Sequence, residues 1–379
     1  MKVLVAPDSF KGSMTAKEAA NAIKRGILKA GSGTEVRIVP MADGGEGTMV
    51  SLVEATDGSI HEARVENPLG RLITGQYGIT GDGHTAVVEL ASASGLDQLT
   101  QPELDPCAAS TYGTGQLIRH ALDRGIRHFI ICLGGSATND AGTGLLAALG
   151  YRFLDSSGNE LGRGGLALQN LHSIDHSNVN AAAEDAKFEV ACDVNNPLVG
   201  PNGASAVFGP QKGASPKGVE RLEAALSVFA DCVERDTGIP VRDMPGAGAA
   251  GGTAAGFAAL LNGELRPGIR LVMEALQFEE TLRRERFDYL VTGEGKIDGQ
   301  TASGKVVAGL SEATEKYRVP TLALAGAVEG SLVPLYDKGL TAAFSIVDRP
   351  MPLEQAIENA EELIEKQAER IFRLILRKG

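Results

Sequence analysis

Residues 3–23 read VLVAPDSFKGSMTAKEAANAI, and the order of residue types in that stretch decides the fold. Val3 to Ala6 is a short, wholly apolar run, the pattern of a strand buried on both faces of a parallel sheet. A loop carrying Asp8, Ser9, Lys11 and Gly12 follows. Thr15 and Glu18 then make a capping box, and Ala19, Ala20, Ile23 and Ile27 recur at helical spacing. Strand, polar loop and helix together form the unit from which doubly wound α/β sheets are built.

The same unit returns elsewhere. Glu35 to Val39 reads as a strand that enters MADGGEGT and a helix from about Thr48 to Ala55. Tyr289 to Thr292 enters GEGKIDGQT and a helix from Ser303 to Tyr317, followed by strands at Thr321–Ala325 and Ala342–Val347 and a C-terminal helix from Leu353. Between these ends the rhythm changes. His61–Glu66 and Thr85–Leu90 alternate with period two around the turn residues Gly81, Asp82 and Gly83, which reads as antiparallel. Phe129–Leu133 and Phe188–Cys192 are again apolar runs that lead into polar loops. The expectation is an α/β protein in which residues 1–60 and 287–379 form a doubly wound parallel-sheet domain and residues 61–286 are an inserted mixed α/β domain.

Composition narrows the function. With 36 basic and 48 acidic residues the net charge is -12, which opposes binding to nucleic acid or to an anionic membrane surface. Aromatics are 4% with no Trp, leaving few platforms for stacked bases. Nowhere do ~18 strongly apolar residues run together, and the N-terminal apolar run is too short for a signal peptide. Cys107, Cys132, Cys192 and Cys232 lie far apart without a C-x-x-C pair, which fits a reducing cytoplasm. The expected partners are small molecules, and further copies of the chain if it self-associates. Glycine is the outlier, 48 residues or about 13%, and Gly-rich loops that also carry Asp, Lys, Ser and Asn suit phosphate handling.

In parallel α/β sheets ligands sit outside the carboxyl ends of strands. The polar residues cluster at those places: Asp8, Ser9 and Lys11; Asp43 and Glu46; Ser136, Thr138, Asn139 and Asp140; Asp193 and Asn195; Glu294, Lys296 and Asp298. Phosphoryl transfer needs this inventory, with carboxylates for Mg²⁺ and for a hydroxyl proton, and lysines and N–H groups for phosphate oxygens. Singly, such an Asp or Ser caps a helix as often as it binds a ligand, and a lone Lys is more often solvated. Two standard motifs nearly match. GQTASGK (Gly299–Lys305) has Val306 where a phosphate loop needs Ser or Thr, although Ser303, Gly304 and Lys305 still read as an anion-binding helix start. Gly246, Gly248 and Gly251 spell G-x-G-x-x-G, but VRDMP precedes them instead of a buried strand.

Seven ordered stretches, APDSFKGSMTA (6–16), PMADGGEGT (40–48), LGGSATNDAG (133–142), DVNNPLVG (193–200), VFGPQKGA (207–214), PGAGAAGG (245–252) and TGEGKIDGQTASGK (292–305), closely resemble the bacterial glycerate kinase family. The match runs from residue 1 to beyond residue 340, and within that family the chain looks most like the glycerate 2-kinases of sugar-acid and glyoxylate pathways. Leu90, Tyr112 and Gln116 depart from the family pattern, and Lys296 stands where Arg is usual, which keeps the charge but not a bidentate contact. The resemblance implies one flavodoxin-like and one restriction-endonuclease-like domain. It also implies transfer of the γ-phosphoryl group of ATP, with Mg²⁺, to D-glycerate, giving ADP and 2-phosphoglycerate.

For that reaction Asp193 is expected to steer or accept the hydroxyl proton, with Lys11 and Asp8 as further catalytic residues. Asp298, Glu294 and Asp43 are the expected Mg²⁺ ligands. Ser9, Ser136, Thr138, Asn139, Asn195, Lys212, Lys296, Ser303 and Lys305 are expected to bind substrate or phosphate. The competing readings are a 3-phosphoglycerate-forming kinase, a nicotinamide-dependent hydroxy-acid dehydrogenase using the Gly246 motif, and a non-catalytic hydroxy-acid binding protein.

Overall fold

The computed structural model describes residues 1–299 and 301–377. Along the chain come β1 (Lys2–Val5), α1 (Ala16–Ala30), β2 (Glu35–Ile38) and α2 (Thr48–Ala55). The strands β3 (Ser59–Glu66), β4 (Leu72–Ile79) and β5 (Thr85–Glu89) lead to α3 (Tyr112–Asp123), β6 (His128–Cys132) and α4 (Thr143–Ala148). After β7 (Arg152–Leu154) and β8 (Ser173–Asp175) follow β9 (Lys187–Ala191), α5 (Ala204–Phe208), α6 (Pro216–Thr237), α7 (Thr253–Leu260) and β10 (Glu264–Arg266). The C-terminal part holds α8 (Gly268–Ala275), α9 (Phe278–Arg284), β11 (Tyr289–Ile297), α10 (Val306–Glu315), β12 (Thr321–Val328), β13 (Leu340–Ser345) and α11 (Ala360–Leu376).

The chain forms two compact units, Met1–Asp43 with Pro267–Gly379, and Gly44–Arg266. The boundaries expected at 60/61 and 286/287 therefore lie elsewhere. Helix α2 packs on β4 and β5, where Gly78 lets Val53 approach, so it belongs with Gly44–Arg266. Helix α8 packs on α10, with Ile269 against Gly309, so it belongs with the C-terminal part.

In the first unit five strands lie in the order β2-β1-β11-β12-β13, all parallel. Counted within the unit this is the 2-1-3-4-5 order of flavodoxin-like sheets, whose switch point lies between β1 and β11. Val3, Leu4 and Val5 are fully buried, as their apolar run requires. The Thr15–Glu18 capping box starts α1, and Gly26 lets α11 approach so closely that a Cβ there would lie 2.2 Å from the Glu365 carbonyl. The C-terminal helix expected from Leu353 is broken at Asn359, whose side-chain amide donates to the Gln355 carbonyl. Strand β11 is longer than expected. Its pairing with β12 continues to Ile297, so Glu294 and Lys296 lie in the strand rather than in the loop after it.

In the second unit six strands run in the order β10-β9-β6-β5-β4-β3. The first four are parallel and β3, β4 and β5 are antiparallel neighbours, so β5 joins the two patterns. The rings of Phe129 and Phe188 stack at 5.0 Å, and Phe257 from α7 closes on Phe188 at 5.5 Å. Buried Leu, Ile and Val from α3, α4 and α6 complete this core.

Candidate active site

At the switch point of the first unit the loops after β1 and β2 and the end of β11 bring acids together. Asp8 follows β1, and its Oδ1 accepts the Ser9 N–H at 2.6 Å. Its own N–H donates to the Gly293 carbonyl, which ties the loop to β11. Burial pushes the Asp8 carboxyl up to about 7, helped by the negative charges of Asp43 and Glu294 and opposed by the Ser9 bond and Lys11. Glu294 is equally buried in the apolar sheet, and its Oε1 accepts the Thr301 hydroxyl at 2.7 Å. Burial raises it to about 7 as well, with Asp43 and Asp298 adding to the effect and Thr301 and Lys305 resisting it.

The structure thus brings Asp8, Asp43, Glu294, Asp298, Lys11 and Lys305 of the expected set within electrostatic reach of one another. Ser9 contributes backbone to this loop. Lys296 is turned to other work: it is half exposed and paired with Glu329 at 2.8 Å, with Asp298 at 3.8 Å. The helix start expected at Ser303 shifts to Val306, with Lys305 as its N-cap after a 3-10 turn. Gln300 and the Ser303 side chain lie outside the described residues.

Two buried carboxyls held near 7 by burial and by neighbouring acids are a donor set short of positive charge, which suits a divalent cation. Among the described residues no group of three or more His, Cys, Asp or Glu is placed to hold a metal ion by itself.

The second unit gathers its own set at the carboxyl ends of β6 and β9. Ser136, Thr138, Asn139 and Asp140 follow β6, and all four are buried. Lys212 is buried with them, its ammonium donating to Ser136 Oγ and to the Thr138 carbonyl, both at 2.7 Å. Burial lowers this lysine to about 7, only partly opposed by the Asp140 charge. It is therefore a strut inside the loop rather than an exposed phosphate ligand. Asn139 donates to Ser205 Oγ at 3.1 Å, which leaves its own Oδ1 and the Thr138 hydroxyl oxygen buried without a hydrogen-bond partner. Asp193 and Asn195 follow β9 and are exposed.

Asp140 was read among the polar residues after its strand but given no role, while Glu89 and Thr111 escaped the sequence reading of site residues. Asp140 accepts from the Thr111 N–H and hydroxyl and from the N–H groups of Gly142 and Gly144, pinning the β6 loop to the starts of α3 and α4. Burial raises its pKa against these four bonds. Glu89, at the end of β5, accepts the Met49 N–H at 2.8 Å at the start of α2. Its signal was only a carboxylate closing an apolar run, and Thr111 had none.

The G-x-G-x-x-G match also finds its explanation here. No strand precedes it. A Cβ on Gly248 would lie 2.3 Å from the Pro197 carbonyl, and one on Gly251 would lie 2.1 Å from the Thr138 carbonyl. These glycines let the β6 and β9 loops pack against one backbone, and Ala141 donates to the Gly251 carbonyl across that contact.

The chain is similar to known proteins along almost its whole length. A family model described as the glycerate kinase family matches residues 3–376. A glycerate kinase of Bacillus subtilis (strain 168) is 47% identical over 371 residues, covering 98% of this chain and 97% of its own length. The glycerate 2-kinase of Escherichia coli (strain K12) is 42% identical over 364 residues, 96% of this chain and 95% of its own. A crystal structure of a chain assigned as glycerate kinase 2 of Salmonella typhimurium LT2 matches with a TM-score of 0.90 at 43% identity, covering 100% of this chain and 99% of that one.

Proposed function

Because the chain belongs to the glycerate kinase family, phosphotransferases with an alcohol acceptor, we propose that it moves the γ-phosphoryl group of ATP onto the 2-hydroxyl of D-glycerate. The products are 2-phosphoglycerate and ADP. The observation that carries the reading is the pair Asp8 and Glu294, two buried carboxyls raised to about 7 at the switch point of the first sheet.

In this reading one or two of Asp43, Glu294 and Asp298 would hold Mg²⁺ together with phosphate oxygens and water, with Asp8 beside them. The ion, when bound, screens the charge of the phosphate oxygens. Lys11 and Lys305 add positive charge for the transferring group, and the N–H groups of the Asp8–Lys11 loop orient it. In the second unit Ser136, Thr138 and Asn139 present donors and acceptors to the hydroxy acid. The buried, unpartnered Thr138 hydroxyl and Asn139 carbonyl oxygen support that role, since such atoms are normally satisfied. Lys212 positions their loop. Asp193, with Asn195 nearby in the same loop, takes the proton as the 2-hydroxyl oxygen bonds to phosphorus and the bond from phosphorus to the ADP oxygen breaks.

Among the described residues no helix is long and apolar enough to cross a membrane. The reading extends to a cytoplasmic setting, for which four free thiols speak. The test is phosphorus NMR of the products formed from ATP, Mg²⁺ and D-glycerate. A 2-phosphoglycerate resonance with matching ADP is expected. A 3-phosphoglycerate resonance would replace the regiochemistry, and no phosphorylated glycerate would reject the reading.

A further inference from the structure

The second sheet ends on the edge strand β3, whose last residue, Glu66, lies against α3. Its eight residues pair with β4 in unbroken register from Ser59 opposite Ile79 to Glu66 opposite Leu72. Sheet edges are normally guarded by charged side chains, lysine above all, by proline, by a bulge or by a covering element, and the guards on β3 are Glu62, Arg64 and Glu66. Ser59–Glu66 contains neither lysine nor proline, and no register shift interrupts it. Ile60 is 44% exposed, and Leu72 on the adjoining strand is 64% exposed.

Two hydrogen bonds settle which backbone groups face outward. The Asn67 N–H donates inward to the Arg71 carbonyl, whereas the Glu66 N–H donates away from β4 to Gln116 Oε1 at 2.8 Å. Alternation along an antiparallel ladder then places the N–H and C=O of Ile60, Glu62 and Arg64 on the outer edge. The side chains of Glu62 and Arg64 are both exposed. Among the described residues Glu62 accepts a hydrogen bond from the neutral Gln76 amide at 3.0 Å, and Arg64 makes no ion pair.

We propose that β3 pairs antiparallel with β3 of a second copy of this chain about a twofold axis at Ala63. In that register Glu62 of each copy lies directly opposite Arg64 of the other, and the two pairs exchange four main-chain hydrogen bonds. The charge pattern selects this register over its neighbours. An axis at Glu62 or at Arg64 sets like charges face to face, an axis at His61 sets Arg64 opposite Gly58, with no acid to meet it, and an axis at Val65 sets Arg64 opposite Glu66, whose N–H is already taken by Gln116. A groove of about 340 Å³ beside the edge, lined by Arg64, Val65, Gln116, Arg119 and Asp123 among others, leaves room for the side chains that the second copy directs toward α3.

Sedimentation of the full chain at tens of micromolar tests this. The wild type is expected at twice 39.4 kDa. Arg64→Glu and Glu62→Arg each set like charges opposite one another and are expected to weaken self-association by about ten-fold or more. An equimolar mixture of the two single variants restores unlike pairs and recovers the dimer, as does the double variant carrying both changes, while the kinase rate per chain stays unchanged. A monomeric wild type, dimers that persist in both single variants, or a double variant that remains monomeric would each overturn the proposal.

Discussion

The Lys212 ammonium donates to Ser136 Oγ and to the Thr138 carbonyl at 2.7 Å each, joining two points of the chain more than seventy residues apart in a site from which water is excluded. Replacing it by methionine ends the unfavourable burial of the amine but leaves the Thr138 carbonyl without its donor and releases the loop that carries Thr138 and Asn139. Lys212→Met should keep a cooperative unfolding transition while kcat falls about 10²-fold, the scale of losing a positioned donor. Steady-state kinetics with urea unfolding separates the two effects.

The same residue has a pH signature of defined sign. Its pKa is about 7 when folded against 10.5 ordinarily, so between those values the unfolded chain binds a proton that the folded chain lacks. Stability contributed by this group therefore rises with pH through that window. The unfolding free energy of the wild type relative to Lys212→Met should increase from about pH 7 to about pH 10. A flat difference would mean that the lysine is not held neutral by burial.

Glu189 offers the opposite sign. Burial alone would raise it, yet hydrogen bonds from His128, Lys187 and Arg266 hold it down at about 2, below the ordinary 4.5. Its contribution is present above about pH 4.5 and is lost as pH falls toward 2. Glu189→Gln should cost about 2 kcal/mol at pH 7 and progressively less below pH 4. Denaturant midpoints across that range give the measurement.

Asp193→Asn removes the proposed proton acceptor from an exposed loop without touching the core. The turnover number should fall about 10²- to 10⁴-fold, the usual range for a general base, with an unchanged melting temperature and an unchanged KM for ATP. Retained turnover would move that role to another group.

Gly251 has φ +65 and sits where a Cβ would strike the Thr138 carbonyl, a backbone atom that cannot rotate away. Gly238 has φ +75 but open space around it. Gly238→Ala should cost about 1 kcal/mol, the backbone penalty alone. Gly251→Ala should cost about 3 kcal/mol or more and also depress kcat, because the clash displaces the loop that carries Thr138 and Asn139, the proposed substrate contacts. Thermal unfolding and kinetics of the pair make the comparison.

Much of this was legible residue by residue. The apolar run at Val3–Val5 and the Thr15–Glu18 box announce β1 and α1, because backbone satisfaction and helix capping act over a few positions. Asp8, Asp43 and Asp298 were visible as carboxylates after strands. Other features were not visible. Glu294 reads as a loop residue because Gly293 and Gly295 flank it, yet pairing with β12 keeps it in a strand. Helix α2 reads as part of the first half, yet its contacts with β4 and β5 assign it to the second.

By itself the order of amino acids determined which segments become strands and helices, where the polar loops fall between them, and the family to which those loops belong. Such properties depend on neighbours within a few residues, or on motifs that survive reading in one dimension. Only the folded chain decided that Lys212 is an internal strut, that Asp140 ties the Thr111 turn to its own loop, and that the glycines at 246–251 serve packing rather than a dinucleotide. Burial and partners far along the chain set those roles, and long-range desolvation leaves no local mark in a sequence.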